Sequence, residues 1–446
     1  MKKNALRAVR KIARISGRFA YRGAKIFEKV EHKSTKLILG SALLDMERGR
    51  QVISVDGLLS QHLPQAMNVY PALPEKDRQP ALTLFIPTLS NELIFGGIAT
   101  ALIVAVKFAK KAKLNLRVVQ TFKYGTADVR GFLDSKGIKF NGDIVVEDVS
   151  QKNNNKKVFI DIHPDDIFMA SAWADAYVID RLPTRKKFIY LMQDFEPIFY
   201  PNGDERIRAE STYRSKNYVS ICNTKLLYDH ISSQNYDGFN NTFKTWFEPA
   251  VALEKRKRHS SNTIKKTLFI YGRPRVKRNL FLAAIEAVNN ATQIDEFDVD
   301  AWNIYIAGED GVPDIQLDSG ARVVNLGKMP LDEYYKFVRT VDVAVSPMMA
   351  PHPNYPTLEF ASVGARVITT SFGVKQSLSM YSDCIVVVDP DVGAITRALV
   401  DEIVKAKDGA VKNTDGGEIK LVTASWDDNL EDPVDRVLNH LTDRVV

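Results

Sequence analysis

A chain of 446 residues, 45% hydrophobic and 26% charged, can bury the cores of two or three globular domains, and it is neither disordered nor fibrous in composition. Two cysteines, Cys222 and Cys384, exclude a disulfide framework and a cysteine metal site and suit a reducing compartment. The net charge of +7 is concentrated at one end: residues 1–36 hold twelve Lys and Arg against Glu28 and Glu31, a local +10 that leaves the remainder at −3.

That basic arm is interleaved with Leu6, Val9, Ile12, Ile15, Phe19, Tyr21, Ile26 and Phe27, a pattern that suits a helix lying on an anionic membrane surface. A solvated helix or tail and a nucleic-acid arm are the rival readings. No nucleic-acid reader motif accompanies it, so no nucleic-acid partner is expected. No apolar core of a secretory signal follows, and no stretch reaches the roughly 18 apolar residues of a spanning helix. The expected location is cytoplasmic, peripheral at the inner face of the plasma membrane. Residues 37–79 read as an irregular lead-in, marked by Pro64, Pro71, Pro74 and, just beyond, Pro80. Together, 1–79 form an arm and approach.

Residues 80–250 alternate strand and helix signals. Strands are expected at 82–87, 115–121, 143–147, 157–162, 187–192 and 219–222, and an amphipathic helix opens at Gly96-Gly97 and runs to about Lys113. Phe247-Glu248-Pro249-Ala250 reads as the connection to a second half, 251–424. Its expected strands are 267–271, 302–307, 321–326, 341–346, 366–370 and 384–388, with helices at 330–340 and 356–363. A last helix is expected over 425–443. This is α/β alternation of the Rossmann kind, twice over.

Two motifs carry chemistry. The first, Leu268-Phe269-Ile270-Tyr271-Gly272-Arg273-Pro274-Arg275-Val276-Lys277-Arg278-Asn279, is a buried-type strand that stops at Gly and meets four cations. In an open parallel sheet ligands sit outside the carboxyl ends of strands, so Arg273 and either Lys277 or Arg278 would face the crevice, where a guanidinium suits a diphosphate. A solvated basic turn is the bland alternative. The second motif, Pro356-Thr357-Leu358-Glu359-Phe360-Ala361-Ser362-Val363-Gly364-Ala365-Arg366-Val367-Ile368, starts a helix at Pro and ends it at Gly. Free amides at its start suit an anionic diphosphate, and Glu359, one turn in, can accept from ribose hydroxyls.

Together the motifs resemble the retaining glycosyltransferases of family 4. Gly272, Arg273 and Arg278 match the family's basic motif, and Glu359, Gly364, Val367 and Ile368 match the second half of its acidic motif. The first Glu of that motif is missing, because position 351 is Pro, within a loop containing His352, Pro353, Asn354 and Tyr355. The chain is most similar to the WsaF-type rhamnosyltransferases of surface-glycan synthesis, which have a His-Pro loop before a lone Glu and resemble it also at Met192-Gln193-Asp194-Phe195-Glu196-Pro197.

The resemblance implies the GT-B fold, two Rossmann-like domains facing across a cleft, here with a basic helical N-terminal extension. It implies that residues 425–446 cross back to the first domain. It also implies dTDP-β-L-rhamnose as the nucleotide-sugar donor, and same-face substitution with no protein nucleophile. The acceptor would be a glycan or lipid-linked glycan. The donor would be held by Gly96 and Gly97, by Gly272, Arg273, Lys277 and Arg278, and by His352, Asn354, Tyr355, Thr357, Leu358 and Glu359.

For the reacting centre the candidates are Asp194, as the group orienting the acceptor hydroxyl, His163, and Arg273 on the leaving diphosphate. A competing register, Asp166 to Ser171, puts Ser171 where His163 is sought and brings Trp173 to the acceptor entrance, with Gln193 and Glu196 as further acceptor contacts. Phe199 reads more readily as core than as a sugar platform. No cofactor is expected, and the seven His show no ligand spacing, so no metal is expected either. A sugar-nucleotide epimerase of the same architecture and a non-catalytic nucleotide-sugar-binding scaffold are the alternatives.

Overall fold

The computed structural model describes residues 69–72, 78–90, 96–123, 125–149, 158–251, 265–407 and 420–444, with Val55, Leu58 and Ile94 besides. Residues 1–61 and 62–446 form separate units, and the architecture below is that of the second. The basic segment 1–36 and the helix expected there lie outside the described residues.

In chain order the first half contains β1 (Val69–Ala72), β2 (Ala81–Thr88), α1 (Gly96–Ala112), β3 (Asn115–Lys123), α2 (Val129–Ser135), β4 (Ile144–Asp148), β5 (Val158–Asp161), β6 (Ile167–Ala170), α3 (Trp173–Ile179), β7 (Phe188–Met192), α4 (Asp204–Arg214), β8 (Tyr218–Asn223), α5 (Lys225–Ser232), α6 (Asp237–Asn241) and β9 (Lys244–Phe247). The second half continues with β10 (Lys266–Tyr271), α7 (Phe281–Ala291), β11 (Trp302–Ala307), β12 (Ile315–Gln316), β13 (Arg322–Asn325), α8 (Leu331–Val338), β14 (Val343–Val345), α9 (Tyr355–Ser362), β15 (Arg366–Thr370), β16 (Ile385–Val388), α10 (Val392–Lys407) and α11 (Trp426–Asn439).

Each half is built on one sheet. The first runs β4-β3-β2-β6-β7-β8-β9, with every neighbouring pair parallel. The second runs β12-β13-β11-β10-β14-β15-β16 and is parallel except where β12 meets β13. A parallel sheet covered on both faces needs strands apolar on both sides, which is why β7 and β8 are buried along their whole length. In each sheet the chain works outward from one strand and then restarts on its other side, between β2 and β6 and between β10 and β14. At such a switch point the flanking connections leave on opposite faces and open a crevice at the carboxyl ends.

α11 returns to the first half, where Leu430, Val434 and Val437 enter the same core as Leu102 and Val106 of α1. Three buried aliphatic side chains contribute about 5–9 kcal/mol of burial, enough to fix the helix there. Lys107 and Lys111 of α1 pair with Asp427 and Asp435 on its exposed side.

Several expectations from sequence are corrected. The strand expected at 157–162 forms as β5 but does not enter the main sheet; it pairs with β1, inside the lead-in read as irregular. The main sheet instead takes Ile167–Ala170, which lies beside β2 because the Asp166 carboxylate accepts the N–H of Ala81 (2.9 Å). Both are apolar runs of four residues, and periodicity cannot say which one pairs where. β9 also went unread, since only two of its four residues, Trp246 and Phe247, are apolar.

Candidate active site

The loops that follow β2, β7, β10 and β14 bring the sequence motifs to the facing carboxyl ends of the two sheets. After β2 the chain enters α1 through Gly96, whose φ of +52° is a left-handed conformation that glycine adopts without a steric cost. Gln193, directly after β7, donates through Nε2 to the Gly97 carbonyl (3.0 Å) and ties these two loops together. After β10, Gly272 donates its N–H to the Ala307 carbonyl (2.9 Å). The side chain of Arg273 lies against Gly308, where a Cβ would come 2.9 Å from Arg273 Cγ.

Asp194 is where the two halves meet. Its Oδ1 accepts the Phe195 N–H (2.8 Å), while Oδ2 lies 3.2 Å from Arg278 Nε and 3.3 Å from His352 Nε2. Asp194 comes from the first sheet, Arg278 from the basic motif after β10, and His352 from the His-Pro loop after β14. Burial opposes its charge, but His352, Arg278 and the Phe195 amide outweigh burial and hold the carboxyl below its usual range. His352 Nδ1 accepts the Asn354 N–H (3.0 Å), which leaves the proton of a neutral ring on Nε2, facing Asp194. The Arg278 guanidinium also lies 4.3 Å from the centre of the Phe199 ring. The Arg278 carbonyl accepts the Met349 N–H (2.7 Å), so the basic motif and the His-Pro loop are joined through backbone as well.

The start of α9 makes the second bridge. Tyr355 OH lies 2.7 Å from Thr100 Oγ1 of α1 and accepts from Asn223 Nδ2 at the end of β8 (3.1 Å). Asn354 caps the helix: its Oδ1 accepts the Thr357 N–H (2.8 Å), at a φ of +57° that Asn tolerates better than most residues. Its Nδ2 is buried with no hydrogen-bond partner among the described residues. Glu359 accepts from Tyr334 OH of α8 (2.9 Å). Burial pushes its carboxyl up to about 7 in spite of Tyr334 and the Lys136 charge.

Not every candidate reaches the cleft. His163 lies before the amino end of β6, the end of the sheet opposite the cleft, and its N–H donates to Asp166 (2.9 Å). The strand places Ser171 at the cleft end instead, where it donates to the buried Asp175 (3.2 Å). Trp173 is 2% exposed and its indole N–H donates to Tyr200 OH (2.9 Å), so it underlies the rim rather than lining an entrance. Glu196 faces inward to accept the Trp173 N–H, and burial pushes it up to about 8. Leu358 belongs to the core of the second half, and Thr357 is fully buried. Lys277 is exposed, so Arg278 is the cation of the pair that turns inward. Phe199, read as core, is 39% exposed beneath Arg278.

With this geometry established, the comparisons with known proteins are specific. The family described as WsaF, N-terminal domain, matches residues 81–225, and the one described as WsaF, C-terminal domain, matches residues 266–400. The chain belongs to the WsaF family. The O-antigen biosynthesis protein RfbC of Myxococcus xanthus is 28% identical over 279 residues, 62% of this chain and 20% of that protein. The chain thus spans about a fifth of that relative's length. Among solved structures, Anabaena HepE in complex with UDP-glucose superposes with a TM-score of 0.52 at 11% identity, over 80% of this chain and 99% of that one. A TarM variant of S. aureus, in complex with fondaparinux, α-GlcNAc-glycerol and UDP, gives 0.51 at 11% over 80% and 100%. Sucrose-phosphate synthase of Thermosynechococcus elongatus gives 0.50 at 11% over 82% and 95%. At these identities the likeness is one of fold: the WsaF-family chain has GT-B architecture.

The WsaF-family site also holds groups that sequence reading missed. Lys375, in the turn after β15, is wholly buried and donates to the Met348 carbonyl (2.9 Å). His230 of α5 lies between Phe195 and Phe372, with ring centroids 4.8 and 5.6 Å away. Both of its ring nitrogens lack a hydrogen-bond partner among the described residues. Neither residue sits in a motif. A lone Lys after a strand and a lone His on an amphipathic helix are ordinary in sequence, and only the packing of the two halves makes them part of the cleft. Among the described residues no group of three His, Cys, Asp or Glu is placed to hold a metal ion.

Proposed function

We propose that this chain is a retaining glycosyltransferase of surface-polysaccharide or O-antigen synthesis. It moves L-rhamnose from dTDP-β-L-rhamnose onto a growing, lipid-linked glycan, at the cytoplasmic face of the plasma membrane and with residues 1–36 on the anionic surface. The observation that carries the reading is the meeting of Arg278 and His352, from two separate motifs, at the carboxylate of Asp194 from the opposing sheet. Arg278 and Arg273 supply fixed positive charge for a diphosphate at the mouth of β10, and the unpartnered Asn354 Nδ2 offers a further donor beside it. Glu359, one turn into α9, is the acceptor for ribose hydroxyls. The WsaF-family match and the O-antigen relative favour the polysaccharide context.

The roles follow from charge. In same-face substitution the acceptor oxygen bonds to the anomeric carbon as the bond to the phosphate oxygen breaks, and the acceptor proton leaves with the departing diphosphate. Asp194 is held ionised by His352 and Arg278, which makes it a weak proton acceptor but a good anchor for a hydroxyl. It therefore orients the acceptor. Arg273 and Arg278 stabilise the charge that grows on the leaving group, where a preorganised donor is worth about 3–4 kcal/mol. A thermal-shift screen of dTDP, UDP and GDP with their sugars tests the assignment, since preferential binding to the native state raises Tm. dTDP and dTDP-rhamnose should give the largest rise. A rise with GDP-mannose alone would remove the rhamnose donor.

A further inference from the structure

We propose that Lys375 is a positioning residue for the donor, which braces the His-Pro loop from below and takes up a proton when a nucleoside diphosphate enters the cleft. The inference rests on the nucleotide-sugar reading above and adds to it a residue that none of the motifs contains. Lys375 is 0% exposed, and its ammonium donates to the Met348 carbonyl (2.9 Å). The same residue is held from the other side, where Met348 N–H donates to Thr370 Oγ1 of β15 (2.9 Å). Its neighbour Met349 bonds the Arg278 carbonyl (2.7 Å), and three residues on, His352 meets Asp194. Lys375 thus fixes the segment that carries His352 and that holds the Arg278 backbone, and so bears on both side chains that meet Asp194.

The charge environment supplies the linkage. A buried ammonium with a single carbonyl partner is costly, and burial pulls Lys375 down to about 7, with only the Asp194 charge opposing it. The one charge acting on Lys375 is that of Asp194 after β7, and Asp194 is shared with Arg278 after β10, His352 after β14 and His230 on α5. A single carboxylate already paired with Arg278 leaves little negative charge to keep Lys375 protonated. A diphosphate brings that charge, so its binding favours the ammonium, and protonation in turn favours binding. By linkage the affinity should fall as pH rises above the free-state value.

The test uses the full chain, with dTDP as probe and UDP as a second arm, in calorimetric titrations from about pH 7.5 to about 9. That range lies above the last ionisation of a terminal phosphate, about 6. In the wild type, Kd for dTDP should weaken by up to about tenfold per pH unit, and proton uptake should appear as a heat that depends on buffer ionisation. Lys375→Met should bind more weakly at about pH 7.5 and lose both the slope and the uptake. Lys375→Arg, charged throughout, should also be flat. A pH-independent wild type, or a Lys375→Met protein that keeps the slope, overturns the inference. Absence of binding to either nucleotide at any pH would instead overturn the nucleotide-sugar reading. If Lys375→Met does not fold, the wild-type heats in two buffers decide alone, and zero proton uptake at about pH 8 is the negative result.

Discussion

Asp194→Asn separates holding the acceptor from competing with the donor. Asp194 Oδ2 stands 3.2 Å from Arg278 Nε and 3.3 Å from His352 Nε2, and so competes for the cation that the proposed diphosphate would use. A unit charge pair at that separation carries about 5 kcal/mol at an effective dielectric constant near 20, and desolvation returns most of it. Removing the charge while keeping the shape should free Arg278 and relieve repulsion of the diphosphate by about 1–2 kcal/mol. That corresponds to about five- to thirtyfold tighter nucleoside-diphosphate binding. The same substitution removes the carboxylate that holds the acceptor, so kcat should fall by about 100-fold or more. Loss of one partner from a buried pair should lower Tm by several degrees in the absence of ligand. Calorimetric Kd for dTDP, kcat with a soluble acceptor, and Tm with and without nucleotide read all three. The reasoning fails if nucleotide binding weakens, because Asp194 would then support the donor site rather than occupy it.

Arg273→Ala and Glu359→Ala should each weaken nucleotide binding by about tenfold or more, and unchanged affinity in both would displace the donor site from this cleft. Tyr355→Phe removes bonds to Thr100 and Asn223 that join the two halves, so it should cost about 1–3 kcal/mol and lower Tm by about 1–4 °C in a chain of this size. Burial raises Glu196 to about 8, Glu248 and Glu359 to about 7 and Asp175 to about 6, so the native state keeps protons that the unfolded chain has released. The stability these carboxyls contribute is full below their unfolded values and is lost as pH rises through the folded ones. Among the described residues His230 and, near the top of the range, Lys375 are lowered by burial and work against them, so Tm should decline from about pH 5 to about pH 7, and Glu196→Gln should flatten the decline. Deleting residues 1–36 should reduce sedimentation with anionic liposomes at low salt and leave turnover of a soluble acceptor nearly unchanged; equal sedimentation of both proteins would end the membrane assignment.

Local signals in the chain already determined the type and order of most elements. Short apolar runs such as 81–86 and 268–271, bounded by turn residues, read as buried strands, and the stops at Gly272 and Gly364 mark where strand or helix ends. The two motifs were legible for the same reason, because each is a run of consecutive residues: glycine followed by cations at 272–278, and a helix capped at both ends at 354–364. Long-range pairing was not legible. Whether 158–161 or 167–170 joined β2 depended on Asp166 meeting the Ala81 amide, a contact between residues far apart in sequence, and with that choice went the place of His163 and Ser171. The same holds for the cleft. Composition gave no hint that Lys375 approaches Asp194 or that Tyr355 reaches Thr100, because these pairs come from opposite halves of the chain and acquire shared surroundings only when the two sheets face each other, and His230 and Asp194, though in one half, meet only once that half has folded. Charge and periodicity are properties of neighbours in sequence, while burial and electrostatic coupling belong to neighbours in space.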